Sequence, residues 1–111
     1  MSDAPERLRP AAFHILLALS RAPLHGLGIA DEVERASEGG VLLGPGTLYR
    51  TLKELVTSDL IDETSPPGDA DPRRRYYRLT RLGRSRLAAE ASRLARIVEV
   101  ARERRILPDA G

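Results

Sequence analysis

No cysteine occurs in the sequence, which removes disulfides, thiolate zinc sites, iron–sulfur clusters and cysteine nucleophiles together. Stability is therefore expected from packing and from association of chains. Long apolar runs are lacking too. The longest, Ile15 to Leu19, falls far short of the roughly 20 residues that a spanning helix needs, and no basic, apolar, small-residue leader opens the chain. A soluble, cytoplasmic protein with no membrane partner is the expectation. Catalytic patterns are equally scarce. No serine has a histidine and an acid at a recognised spacing, and Gly44-Pro45-Gly46 is not followed by the Gly-Lys-Ser/Thr of a nucleotide loop. His14 and His25 have no second ligand at metal-binding spacing. These gaps argue against an enzyme and against a cofactor or metal site.

What is present is a chain of 111 residues, 41% hydrophobic and 31% charged, the size and balance of one small domain. All basic residues but Lys53 are arginine, and alanine, glycine and proline are abundant, a bias that GC-rich coding produces on its own. Placement is more telling than number. Net charge is −2 over residues 1–49, −4 over residues 50–72 and +8 over residues 73–111. Arg73 to Arg86 holds seven arginines and no acid, a focus that attracts a polyanion. A solvated arginine-rich face is the rival reading.

Apolar spacing divides the chain into elements. Leu8, Phe13, Leu16 and Leu17 mark a helix within residues 8–21, which Pro23 stops. Leu27, Ala30 and Val33 place a short amphipathic helix over Ile29 to Ser37, ended by Gly39-Gly40. Pro45 suits the first turn of a third helix reaching Ser58. Its stripe of Leu48, Leu52, Leu55 and Val56 leaves Thr47, Arg50, Thr51, Lys53 and Glu54 to one side. Leu60 to Thr64 and Arg74 to Leu79 read as a β-hairpin around a polar, proline-rich loop, with Tyr77 turned inward. Thr80 can cap a last helix from Arg81 to about Ile106, roughly 39 Å long at 1.5 Å per residue. Its Leu87, Ala91, Leu94, Val98 and Ala101 step by 4, 3, 4, 3, the seam of a helix that packs on another. The chain has no second long helix, so the simplest partner is another copy, giving a two-fold homodimer.

The expected fold is mainly α with a small β-hairpin (α+β): a winged helix-turn-helix with a long C-terminal dimerisation helix. Its divisions are a flexible N-terminus (residues 1–7), the winged domain (8–79), the dimerisation helix (80–107) and a tail (108–111).

Three motifs stand in this frame: His25-Gly26-Leu27-Gly28-Ile29; Gly46-Thr47-Leu48-Tyr49 leading to Leu60-Ile61; and Arg75-Tyr76-Tyr77-Arg78-Leu79-Thr80-Arg81-Leu82-Gly83. Together they resemble the PadR family of bacterial transcriptional regulators over residues 8 to about 86. The short C-terminal part resembles the smaller subgroup, in which one long helix forms the dimer. Arg50 stands where the family usually has proline, Asp59 where it usually has glycine, and Leu27 where tyrosine is common. The resemblance implies a homodimer on double-stranded operator DNA, usually a repressor, released by a small-molecule effector or another signal whose identity the sequence withholds. Some members of the smaller subgroup stack flat aromatic drugs on tryptophan between the dimer helices. This chain has no tryptophan, so such a stacking pocket is not expected, while an apolar cavity at the dimer centre stays open.

Thr47, Tyr49 and Arg50 match the family's segment at the start of the recognition helix. Thr47 and Tyr49 are assigned to phosphates near its N-terminus, and Arg50 and Lys53, a turn onward, to base edges. Arg73, Arg74 and Arg75 of the wing are assigned to phosphate or the adjacent minor groove. Tyr49 has a rival reading as a core tyrosine. The alternative function is a winged-helix module that docks on an acidic protein without sequence-specific DNA binding.

Overall fold

A computed structural model describes residues 7–108. The expected flexible N-terminus and tail fall outside the described residues over 1–6 and 109–111. The elements in order are α1 (Pro10–Ala18), β1 (Leu24–His25), α2 (Gly26–Ala36), α3 (Pro45–Thr57), β2 (Ile61–Thr64), β3 (Tyr76–Leu79) and α4 (Arg81–Glu103).

Proline stands in the first turn of α1 and of α3, where its missing N–H costs no hydrogen bond. α1 is the hub, packing against α2, α3 and α4. Its Ile15 and Leu16 are fully enclosed. Ile29 and Val33 of α2 and Leu48, Leu52 and Leu55 of α3 close over them, joined by Leu60, Ile61 and Tyr77. α3 ends with Asp59 at φ +61°. The Leu60 N–H donates to the Leu55 carbonyl and the Asp59 N–H to the Val56 carbonyl, the paired bonds of a Schellman C-cap. This turn sends Leu60 and Ile61 straight back into the core.

The sheet is three-stranded and antiparallel, in the order β1-β3-β2, where the sequence pattern predicts two strands. Leu24 pairs with Tyr77 and His25 with Tyr76. A two-residue strand carries no alternation to read, so β1 is visible only in its partner. Its presence also alters the tyrosines: Tyr77 packs in the core as expected, but Tyr76 is buried as well. The His25 ring covers Tyr76 at 5.3 Å between centroids. α2 starts at Gly26 rather than Ile29, because β1 runs directly into it.

α4 is pinned to the end of α3. The Thr80 hydroxyl accepts from the Gly83 N–H at 2.9 Å and donates to the Asp59 carbonyl at 2.6 Å. The helix stops at Glu103, short of Ile106, where Arg105 takes φ +60°. Leu87 requires a correction. Assigned to the intermolecular seam, it is buried instead in the core of its own chain, because the first turns of α4 lie against α1. The seam positions beyond it differ: Ala91 and Val98 are exposed, and Leu94 and Ala101 half-buried.

Candidate nucleic-acid interface

α3 buries Leu48, Thr51, Leu52 and Leu55. At 3.6 residues per turn, the opposite line of the helix is Gly46, Arg50, Lys53 and Thr57, and all four are exposed. Gly46 and Thr57 complete this face and were not assigned to DNA from the sequence. Thr57 could have been, since it falls one turn beyond Lys53. Among the described residues, neither Arg50 nor Lys53 has a carboxylate partner. The two flanks differ. Thr47, half-buried, faces the α1 side. Tyr49 faces the wing and is 52% exposed, which sets it outside the core. Its ring lies over α2, where a Cβ on Gly26 would come within 2.9 Å of the tyrosine oxygen.

The wing is the loop between β2 and β3. Arg73, Arg74 and Arg75 are all exposed there, though none is unengaged. The Asp71 carboxylate accepts from the Arg73 side chain at 3.1 Å and from its backbone N–H at 2.9 Å. These bonds hold the Asp71 carboxyl below its usual range. Arg75 reaches Glu63 at 3.6 Å and Arg78 reaches Asp62 at 3.7 Å. The acidic block of the sequence thus folds back on the basic one. Arg74 lies 3.0 Å from His25 Nε2, a contact between residues 49 apart that adds His25 to the site. His25, the first residues of α2, Tyr49 and the three wing arginines line a hollow of about 400 Å³.

The arrangement brings an exposed polar helix and a cationic loop onto one side of the molecule. The PadR-like transcriptional regulator model matches residues 15–89, spanning α2, α3, the sheet and the start of α4. The chain belongs to the PadR-like family of transcriptional regulators. It is thus placed among transcriptional regulators, not in an enzyme family. This PadR-like chain is similar to a PadR family transcription regulator from hypervirulent Clostridium difficile, at 26% identity and a TM-score of 0.71. That likeness covers 84% of this chain and 95% of the other. Bacillus subtilis PadR, solved in complex with operator DNA, shares the fold at 21% identity and a TM-score of 0.62, over 72% of this chain and 45% of that one. A further relative is an uncharacterized 37.1 kDa protein in a transposon of Streptomyces fradiae, 37% identical over 91 residues. Those residues are 82% of this chain, which spans 25% of that relative's length. Among the described residues, no helix is long and apolar enough to cross a membrane.

Beyond the winged part, α4 carries an apolar stripe in which Ile97 and Val98 are 53% and 42% exposed. Ile97 was not among the seam residues read from the sequence. It lies beside Val98 and Ala101 on the same helical face.

Proposed function

We propose that this PadR-like regulator acts as a homodimer on an inverted-repeat operator and represses the promoter that the operator overlaps, until a signal releases it. α3 of each protomer enters the major groove, where Arg50 and Lys53 reach base edges. Thr47 and Tyr49 contact phosphates near the start of that helix, and Arg73, Arg74 and Arg75 hold the backbone or minor groove beside it. The dimer forms through the α4 stripe of Ala91, Leu94, Val98 and Ala101, extended by Ile97. The observation that carries the reading is the outward line of α3: exposed, cationic and without carboxylate partners among the described residues. The shared fold with a PadR solved on operator DNA supports it.

Fluorescence anisotropy with the duplex upstream of the protein's own gene tests the reading, using a scrambled duplex of equal length as reference. Wild-type protein is expected to prefer the upstream duplex. Arg50→Ala should remove about 1–3 kcal/mol of that preference, the worth of one bidentate contact to a guanine, while binding to the scrambled duplex changes little. Equal losses on both duplexes would demote Arg50 to a phosphate contact. No preference in the wild type would favour the protein-docking alternative.

A further inference from the structure

Nine glycines occur in the chain, and all but Gly111 lie among the described residues. Six of them have a reason within the chain. Gly39 and Gly68 take φ +79° and +47°, a region that other residues seldom enter. At Gly26, Gly28, Gly40 and Gly83 an added Cβ would come within 3.2 Å of a neighbouring atom. The two left over, Gly44 and Gly46, stand on either side of Pro45 at the start of α3, with no positive φ and no atom within 4 Å of an added Cβ. Gly44 is the N-cap, a position that glycine fills better than alanine. Gly46 has no such reason. It lies in the first turn of α3, where glycine gives up more conformational entropy than alanine would. It is also exposed, on the same line of the helix as Arg50, Lys53 and Thr57. Codon bias supplies glycine without regard to place, whereas this residue stands at the leading end of the face that carries Arg50.

We propose that Gly46 is the point at which the α3 backbone meets the duplex, and that its missing side chain sets how deep the helix sits in the major groove. This role rests on the DNA reading above. A helix with its side chains is about 10–12 Å across and the groove about 12 Å wide, so the residues of the leading face decide the depth. A Cβ at position 46 would reach about 1.5 Å beyond the Cα and lift the start of α3 by a comparable distance. Arg50, one turn along the same line, would be lifted with it. A guanidinium held on a base edge by two hydrogen bonds loses its geometry over such a shift, whereas the long arginine side chains of the wing can follow their phosphates. Gly46 is therefore a determinant of sequence preference more than of affinity for DNA in general, kept at a small loss of helix stability.

Gly46→Ala separates fold from binding, because the two should move in opposite directions. Its melting temperature should rise by about 2–4 °C, the usual gain when alanine replaces a glycine of compatible φ. Its affinity for the upstream duplex should fall about tenfold or more, the scale of a methyl forced into a packed contact, with little change on the scrambled duplex. In an Arg50→Ala background the same substitution should cost much less, since the contact it displaces is already gone. A variant that is more stable yet keeps the wild-type preference overturns the role of Gly46 and leaves the DNA reading standing. A less stable variant also overturns it, since position 46 then needs glycine for the fold itself. So does a loss that is equal on both duplexes and undiminished by Arg50→Ala, which would make Gly46 a backbone contact with no bearing on Arg50. A wild type without preference for the upstream duplex removes the DNA reading and the contact at Gly46 together.

Discussion

At Gly83 the start of α4 runs so close to the end of α3 that an added Cβ would lie 2.0 Å from the Leu60 carbonyl oxygen. That oxygen cannot withdraw, because it accepts the Thr80 N–H at 3.1 Å. Gly83→Ala must therefore push α4 off the domain. Overpacking of this kind costs about 1–3 kcal/mol, and a clash with fixed backbone belongs at the upper end. Urea unfolding should show a lower midpoint with little change in slope; an unchanged midpoint would mean that α4 can slide without penalty. Gly83 was legible in the sequence only as part of a motif. The reason for it was not, since its clash partner is 23 residues earlier in the chain. His25 is similar: it was noticed beside a helix start, but its contact with Arg74 depends on a strand too short to read. By contrast, Thr47, Arg50 and Lys53 could be set apart from the core because the leucines of α3 define a stripe within one continuous helix. Tyr49 could not be resolved in that way, since its ring rests on α2 and its exposure is decided by Gly26.

Opposite charges face one another across elements, and linear charge blocks misjudge the result. Residues 73–86 read as an unopposed cationic run, yet β2 sets Asp62 opposite Arg78 across the sheet and brings Glu63 within reach of Arg75 just before β3. These exposed pairs contribute little stability, but each carboxylate lowers the potential that DNA meets at the wing. Glu63→Gln should therefore tighten binding to any duplex about two- to fivefold at low salt, a difference that fades as salt screens the pair. Anisotropy on a scrambled duplex reads it directly. A second pair lies within α4, and its carboxylate also reaches the N-terminal segment. Glu90 is buried on α4, where it accepts hydrogen bonds from Arg93 and from the Leu8 N–H. The Arg93 bond outweighs burial, which acts in the opposite direction, and with the Leu8 bond holds the Glu90 carboxyl below the usual 4.5. A carboxyl whose folded pKa is depressed adds stability above its unfolded value, and this is lost as pH falls through the folded value. Thermal melts from about pH 6 down to about pH 3 should show a steeper decline for wild type than for Glu90→Gln. Parallel declines would mean that the pair does not form in solution.

The whole molecule is longer than its core requires. Its principal extents are 50 × 37 × 25 Å, and the far half of α4 exposes Ile97, Val98 and Val100 to water. The sequence pattern revealed the stripe but started it one helical turn too early, since Leu87 belongs to the core and the free face begins near Ala91. Hydrophobic side chains at a spacing of three and four on an unsupported helix are satisfied most directly by a second copy related by a two-fold axis. That axis would also set two α3 helices a fixed distance apart, which is what an inverted repeat with half-sites about one duplex turn apart demands. The two properties can be broken together at Val98, which touches neither the core nor the α3 face. Val98→Asp should sediment as a monomer at micromolar concentration where the wild type is a dimer, with the melting temperature of the winged part little altered. On DNA the consequence is quantitative. A dimer that neutralises about 6 to 8 phosphates gives a log K against log salt slope near −5 to −7, and a lone protomer about half of that. If Val98→Asp remains dimeric, the stripe is not the interface. If it is monomeric yet keeps the full slope and affinity, the two α3 helices do not act as a pair, and the operator would have to be a single, unrepeated site.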